Sequence, residues 1–340
     1  MSGSRTGSPS IRDVARAAGV SVATASRVLA KADYPVATGT RERVLDASRA
    51  LGFVPNALAR GLARAKTDSI GVIVPVLINP YYAAMVQGID AAAQENGITM
   101  LLSLSGGDEA RRETAIGEFL ARQVDGVLIC AGADDHVPGR SPAALGIPAV
   151  LIGQQANAGF PMIVTDNRRA GFEATAYLWG LGHRRFLYLT SHDAWHDFRE
   201  RGEGMLDYLR STGETFEAEV FKGLSGEADS YRRIRDACEE GLSATALLAS
   251  TDRHALGAIA ALTDAGRLVP DDVSVMGFDD YVTSRFVRPA LTTMQMPAAE
   301  MGRLGVARLC DMLAGKAVPP ETRLLAAAIE RGSTRAYGGQ

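Results

Sequence analysis

From Ser69 onward the chain alternates short runs rich in β-branched and aliphatic residues with longer stretches of helical spacing, and this rhythm restricts the fold more than any other feature. Runs of strand length occupy 70–76, 99–104, 126–130 and 149–152, with helical stretches at 81–94 and 109–122 between the first three. A second series follows: helix 168–181, strand 185–190, helix 199–210, strand 218–221, helix 227–240, strand 246–249, helix 253–265 and strand 273–278. Such succession builds parallel sheets, because parallel neighbours need a connection about as long as a helix. Two doubly wound parallel-sheet subdomains are therefore expected, each with helices on both faces. A strand-like 291–296, a helix 298–313 and a strand-like 324–329 complete the chain. A chain of 340 residues is long enough for more than one core.

The first 66 residues are of another kind. They hold eleven Lys and Arg against four Asp and Glu, a net +7, so the total of −3 leaves −10 on the remainder. A small basic segment beside a large acidic one suggests that the first meets a polyanion and the second does not. With 46% hydrophobic and 22% charged residues the chain is neither disordered nor collagen-like. Cys130, Cys238 and Cys310 form no Cys-x-x-Cys pair, which argues against a disulfide framework or a structural zinc and fits a reducing compartment. No apolar run has membrane-spanning length and Met1–Ser10 is polar, so a cytoplasmic protein at the nucleoid, with no membrane partner, is expected.

The basic segment is patterned. Ile11, Val14, Ala15 and Ala18 recur at helical spacing, Ser10 and Asp13 have capping-box spacing, and Gly19 suits a left-handed C-cap. Ser21 then caps a second helix, Val22–Leu29, so the pair forms a helix-turn-helix. A third helix is expected from about Thr38 to Leu51, with Thr38 as its cap and Val44, Leu45 and Leu51 closing a small core. In such a unit the second helix enters the major groove. Arg27 can bond guanine bidentately, Val22 and Ala23 can meet a thymine methyl, and Thr24 and Ser26 can donate to phosphate; Ser21 completes the DNA-facing set at the helix start. Pro55-Asn56 can open a helix over 57–63 that is too short to stand without a partner.

In the acidic part, ligands of open α/β sheets bind beyond the carboxyl ends of strands. Tyr81 and Tyr82 follow the first strand and Ser103 ends the second. Asp166 lies at the lobe junction, Trp195 and Asp197 follow a later strand, and Arg201 begins a helix. Leu248 and Thr251 end another strand, and Asp279 follows the run 273–278. Carboxylates and a guanidinium suit a polyhydroxylated ligand, and the tyrosines can stack on a sugar ring or a base. An enzyme is the competing class. His192-x-x-x-His196, with Asp193 and Asp197, has metal-ligand spacing but lacks the glutamate of a His-Glu-x-x-His protease. Neither a Gly-x-Ser-x-Gly elbow nor a phosphate-binding loop is present, so no nucleophile, metal or cofactor is assigned and no catalysis is expected. A free-standing solute-binding protein is disfavoured by the helix-turn-helix.

The stretch Ser10 to Leu29, together with Thr40-Arg-Glu-Arg-Val44, Leu51-Gly-Phe-Val-Pro-Asn-Ala-Leu-Ala-Arg-Gly-Leu62 and Thr67-Asp-Ser-Ile-Gly-Val72, resembles the lactose-repressor (LacI/GalR) family of bacterial transcription regulators. Ala37 departs from it, where relatives often carry a capping serine. The resemblance implies a helix-turn-helix domain over 1–54, a hinge over 55–66, an effector-binding and dimerisation core over 67–332 of periplasmic-binding-protein type, and a tail over 333–340. Lobe 1 would take 67–165 and 296–322, and lobe 2 would take 166–294 and 323–332, with the chain crossing between them near Thr165, Met294 and Arg323 as in periplasmic-binding-protein-like cores. It further implies that two hinge helices pair on operator DNA and each pushes a leucine, here Leu62 beside Ala59 and Asn56, into the minor groove. Effector contacts fall on Tyr81, Tyr82, Asp166, Arg201 and Asp279. The expectation is a homodimeric repressor on a pseudopalindromic operator, controlled by a sugar or sugar derivative, with a purine or nucleoside effector or a sugar-handling enzyme as alternatives. The last residues carry no leucine heptad that would join dimers.

Overall fold

The computed structural model describes residues 9–29, 35–54, 66–130, 142–153, 159–191 and 196–338. It divides into two compact units, 1–68 and 69–340. The expected hinge helix, with Asn56, Ala59 and Leu62, lies outside the described residues, as do Trp195, His192 and Asp193.

In the first unit α1 (Ile11–Ala18), α2 (Val22–Leu29) and α3 (Thr38–Ala50) close over a core of Val14, Ala15, Ala18, Ala25, Val28 and Val44. The Ser10 backbone N–H donates to Asp13 Oδ2 at 2.9 Å, and Gly19 takes φ +65, ψ 39, a conformation open to it because it lacks a Cβ. Its role is to let the chain turn sharply, with Val20 N–H donating back to the Ala15 carbonyl at 3.0 Å. Two expectations need correction. Thr38 is the first helical residue and Ala37 holds the cap position without a side-chain bond, because the cap falls one residue earlier than the hydroxyl. Leu45 and Leu51 are exposed; the helix turns Val44 and Ala47 inward instead, and Phe53 and Val36 cover the edge of the core.

The second unit holds two six-stranded sheets. The first runs β11-β5-β4-β3-β1-β2, all parallel, from β1 (Ser69–Val74), β2 (Thr99–Leu104), β3 (Gly126–Cys130), β4 (Ala149–Ile152), β5 (Met162–Thr165) and β11 (Glu321–Leu324). The second runs β12-β10-β9-β8-β6-β7, from β6 (Arg185–Leu189), β7 (Glu217–Phe221), β8 (Ala246–Ala249), β9 (Ser274–Phe278), β10 (Thr292–Gln295) and β12 (Ala327–Ile329), with β12 alone antiparallel. Alternation assigns side chains to faces. Ile70, Val72 and Val74 pack on Met85 and Ile89 of α4 (Pro80–Glu95) and on Met301 of the last helix, while Ile73 meets Ile116 and Phe119 of α5 (Glu109–Ala121). The short α6 (Pro142–Leu145) precedes β4.

In the second lobe α7 (Asn167–Gly180) and α8 (His196–Ser211) cover one face, and α9 (Glu227–Glu239) and α10 (Asp252–Asp264) cover the other. The last helix is α11 (Ala298–Leu313). β5 is a strand that the sequence pattern did not reveal. The run 324–329 is not one strand: β11 ends at Leu324 in the first sheet and β12 begins at Ala327 in the second. The third crossing thus falls at 325–326, which leaves Arg323 in lobe 1 rather than lobe 2.

Candidate functional site

Two sets of functional side chains can be built from these elements. On α2, Ala25 and Val28 are buried, so Val22, Ala23, Ser26 and Arg27 share the exposed side. Ser21 Oγ accepts from Thr24 N–H at 3.1 Å, and the two hydroxyls lie 2.9 Å apart, so Thr24 takes part in the cap and its hydroxyl is shared with Ser21. An N-terminal turn with exposed small side chains and a cation one turn on can approach a base edge closely.

The second set lies at the carboxyl ends of strands in the core. Close packing of α7 on α8 starts it. A Cβ on Gly171 would lie 2.0 Å from the Arg201 carbonyl, and one on Gly204 would lie 1.9 Å from the Arg168 carbonyl, so only glycines allow the two helix backbones this approach. Arg201 is thereby brought against α7: its Nε donates to Asn167 Oδ1 at 2.9 Å and its Nη1 to the Ser250 carbonyl. Its guanidinium carbon lies 5.1 Å from the Phe198 ring centre and 4.8 Å from that of Phe278. Arg201 is buried, and no carboxylate of the described residues lies within ion-pair distance of it.

Asp279 follows β9 at φ +116, with Asp280 at +56, two consecutive non-glycine residues in the region that favours glycine. Asp280 is held by Arg331 at 2.5 Å and by Gln295 Nε2 at 2.9 Å, which fixes the bend. Asp279 Oδ2 is buried and has no hydrogen-bond partner among the described residues. Burial pushes its carboxyl up to about 6, against the opposing charge of Arg201. Tyr81 faces the same group: burial raises its phenol well above the ordinary range, followed by the charge of Asp197, with Arg201 opposing and Asp279 adding. Tyr82 meets Tyr81 edge to face at 5.4 Å, and the Tyr81 hydroxyl rests on Met301 Sδ at 3.4 Å. Tyr81, Tyr82, Asp197, Arg201 and Asp279 are thus brought together. A cavity of about 570 Å³ lies against Tyr81, Ala84, Asp279, Tyr281, Met296 and Leu325, and a second of about 190 Å³ runs between Asn79, Phe198, Thr251 and His254.

Other expected residues stand elsewhere. Leu248 is fully buried between β-sheet and α7, packed with Ala246 and Met276, because the pleat turns it into the core. Asp166 caps α7, accepting Arg169 N–H at 3.0 Å, and its neighbour Asn167 is the residue that meets Arg201. Thr251 caps α10, and its hydroxyl lies 3.0 Å from His254 Nδ1. Ser103 sits half-buried on the edge strand β2, paired to Ile73, with no described contact to the cluster.

Other residues at these strand ends also bear on the site. Asp252 is buried and accepts from Tyr281 N–H at 3.0 Å, Ser284 Oγ at 2.5 Å and Thr293 Oγ1 at 2.6 Å. Burial, then the Asp279 charge, raises its carboxyl to about 7. His254, Asn79, Asn167 and Tyr281 also line or brace the site, and only adjacency to a strand end marked them in the sequence. Among the described residues no group of His, Cys, Asp and Glu could hold a metal ion, and no helix is long and apolar enough to cross a membrane.

A helix-turn-helix with an outward-facing second helix, in one chain with a two-lobed α/β core whose polar groups converge at strand ends, defines the class of DNA-binding regulators that answer to a small ligand. The family described as "Bacterial regulatory proteins, lacI family" matches residues 10–56, and "Periplasmic binding protein-like domain" matches residues 175–334. The chain is 32% identical over 317 residues to the transcriptional regulator GalR of Salmonella typhimurium, covering 92% of this chain and 91% of the relative. It is 30% identical over 331 residues to the transcriptional repressor CytR of Escherichia coli, covering 96% of each. Its structure resembles that of a Lac repressor dimer bound to operator and the anti-inducer ONPF, with a TM-score of 0.87 at 29% identity over 96% of this chain and 99% of that one. It also resembles a CelR-cellobiose complex, with a TM-score of 0.69 at 28% identity over 96% and 99%. The chain belongs to the LacI family of bacterial transcription regulators.

Proposed function

We propose that a homodimer of this chain represses transcription from a pseudopalindromic operator and is released or recruited by a polyhydroxylated effector, a sugar or sugar derivative, bound between the lobes. The observation that carries the effector reading is the buried, unpartnered Asp279 Oδ2 near the buried guanidinium of Arg201. A buried acceptor without a donor is unfavourable by about 1–3 kcal/mol, so the site calls for a ligand donor. A hydroxyl supplies one and can also accept from Arg201. A purine or nucleoside is the second reading, favoured by the Tyr81 and Tyr82 rings, which can flank a planar base. Exposed Ile78, Val282 and Phe286 flank the Asn79 and Tyr281 contact and support a second copy as the partner. Effector need only favour one lobe arrangement to change operator affinity, by a coupling of about 1–3 kcal/mol.

The deciding experiment is fluorescence anisotropy of the full chain with genomic operator fragments across a salt series, with and without galactose, cellobiose and adenosine. If 6–10 phosphates are neutralised, affinity falls by roughly three to five decades between 50 and 200 mM salt. Salt-insensitive or absent binding to every fragment would sink the regulator reading. DNA binding that ignores every polyol but answers to adenosine would favour the second effector class.

A further inference from the structure

Arg201 is held in its buried position by neutral partners. Its Nε donates to Asn167 Oδ1 at 2.9 Å and its Nη1 to the Ser250 carbonyl just beyond β8. An amide oxygen and a peptide oxygen orient the guanidinium without cancelling its charge, as a carboxylate would. Asn167 is itself fixed. It is 1% exposed, and its Nδ2 donates to the Thr165 carbonyl at 3.3 Å, so both ends of the carboxamide are engaged. The backbone behind the pair leaves no slack, since a Cβ on Gly171 would lie 2.0 Å from the carbonyl of Arg201 itself. A side chain whose root and two of three nitrogens are fixed has little freedom to turn.

The place of Asn167 in the chain gives the bond a second consequence. β5 ends at Thr165 in the first sheet and α7 opens at Asn167 on the second, so the carboxamide spans the passage from one lobe to the other. We infer that Asn167 is a positioning residue of the effector site: it aims Arg201 at the ligand and fastens that aim to the first crossing between the lobes. The inference rests on reading Arg201 as an effector contact, and it narrows the ligand. With Nε and Nη1 taken, Nη2 is the nitrogen that neither bond uses, and any two-nitrogen grip on a carboxylate or phosphate includes one already engaged. The carboxylate of Asp279, near Arg201 and without a donor among the described residues, disfavours an anion further. Arg201 therefore serves a single uncharged oxygen, a hydroxyl, ether or carbonyl.

The test begins without ligand, by magnetic resonance of the full chain isotope-labelled at the arginine nitrogens. The Arg201 Nε–H, buried and bonded to an amide oxygen, should give a side-chain resonance protected from exchange with water, assigned by its disappearance in Arg201→Lys. Asn167→Ala should abolish that protection, and Asn167→Asp, which keeps an acceptor in the same place, should restore it. A cooperative unfolding transition by tryptophan fluorescence establishes that each variant is folded. Asn167→Leu, close in volume and without an acceptor, answers the same question if the alanine variant does not fold. Protection unchanged without the acceptor overturns the inference. So does its loss in Asn167→Asp as well, which would mark a general loosening of α7 against α8.

In the ligand arm, galactose, cellobiose and adenosine are titrated by calorimetry, with a galactose phosphate and adenosine monophosphate beside them. For any that binds wild type, Asn167→Ala should weaken binding about tenfold or more, the scale of a hydrogen bond to a charged group. In an Arg201→Lys background the same change should cost about threefold or less, because Asn167 acts through the guanidinium. Equal losses in both backgrounds, which a structural residue would give, overturn the positioning role. The uncharged compound should bind about tenfold tighter than its phosphate, and a tighter phosphate overturns the single-oxygen reading. Should none bind, the effector classes proposed above fall, while the arginine resonance still decides whether Asn167 holds Arg201.

Discussion

The two units of this chain solve the problem of stability differently. All six fully buried residues of the helix-turn-helix core are valine or alanine, whereas the four clusters of the second unit are filled with leucine, isoleucine, methionine and phenylalanine. At about 25 cal/mol per Å² of apolar surface, the small unit gains little from burial and leans on its caps and turn. Its functional side chains accordingly point outward, on a helix whose inner face is already spoken for. The large unit can afford to do the reverse. It buries Arg201 and Asp252 and half-buries Asp279, holding charge where water is scarce and every polar partner counts.

The largest effect expected from this contrast is on the core. Gly204→Val would drive a side chain into the Arg168 carbonyl, where even a Cβ would lie at 1.9 Å, and the obstruction is backbone that cannot swing aside. Overpacking of this kind should cost about 3 kcal/mol or more and lower the core's midpoint by about 10 °C. Both tryptophans, Trp179 and Trp195, belong to the second unit, so their fluorescence reports it alone. A shift under 2 °C would mean that α7 and α8 are not locked together as described.

Acid should also separate the units, since all five histidines lie beyond residue 66. Burial holds His254 down to about 4, with its Nδ1 3.0 Å from the Ser250 hydroxyl. A depressed folded pKa contributes stability that is present above the unfolded value near 6.5 and is lost as pH falls toward 4. Asp252 and Asp279, raised by burial, act in the opposite sense as pH falls through 7 and 6. Comparing wild type with His254→Asn removes their contribution. The variant should be less stable at pH 7, and its deficit should shrink by up to about 3 kcal/mol between pH 6.5 and 4. A deficit constant across that range, measured by urea unfolding, would show that His254 is not held neutral.

The same contrast explains what could be read without coordinates. On α2 the sequence marked Val22, Ala23, Ser26 and Arg27 by their side-chain chemistry, and the helix turns all four outward because Ala25 and Val28 fill its inner face. The alternation of strands and helices likewise located nearly every strand. It missed β5, and it missed β11, which is polar and only partly buried. At the core site, proximity to a strand end singled out Tyr81 and Asp279, which the fold brings near Arg201, yet it could not tell a cap from a contact. Asp166 and Thr251 sit where ligand residues sit, but their side-chain oxygens are engaged by backbone N–H groups of the next helical turn. Leu248 failed for another reason: one step along a pleated strand decides between cleft and core. Asn79 and Tyr281 are 202 positions apart, a pairing that local pattern cannot express.

On the outward-facing side, Arg27→Ala should weaken operator binding by about 1–3 kcal/mol, roughly ten- to hundredfold, if Arg27 reads a guanine. The loss should then be confined to fragments with that base pair. A phosphate contact would instead weaken all fragments alike and reduce the salt slope by about one. In either case the core's tryptophan unfolding should not move. A lowered core midpoint would break the separation between the units.

The smallest energy concerns the cap. Ser21 Oγ accepts from Thr24 N–H at 3.1 Å, and α2 has only eight residues, too few to be stable without its neighbours. Ser21→Ala should cost about 1 kcal/mol, whereas Ser21→Gly should cost only a few tenths, since glycine leaves the first turn open to water. In temperature the order is less modest. Unfolding entropy scales with chain length, so 1 kcal/mol moves a unit of some sixty residues by about 4–8 °C and one four times larger by about 2–4 °C. Far-ultraviolet circular dichroism of a 1–68 fragment, which forms one compact unit by its own contacts, gives that shift directly. Equal midpoints for Ser21→Ala and wild type would mean that the small core, not the cap, sets the stability of the helix that meets DNA.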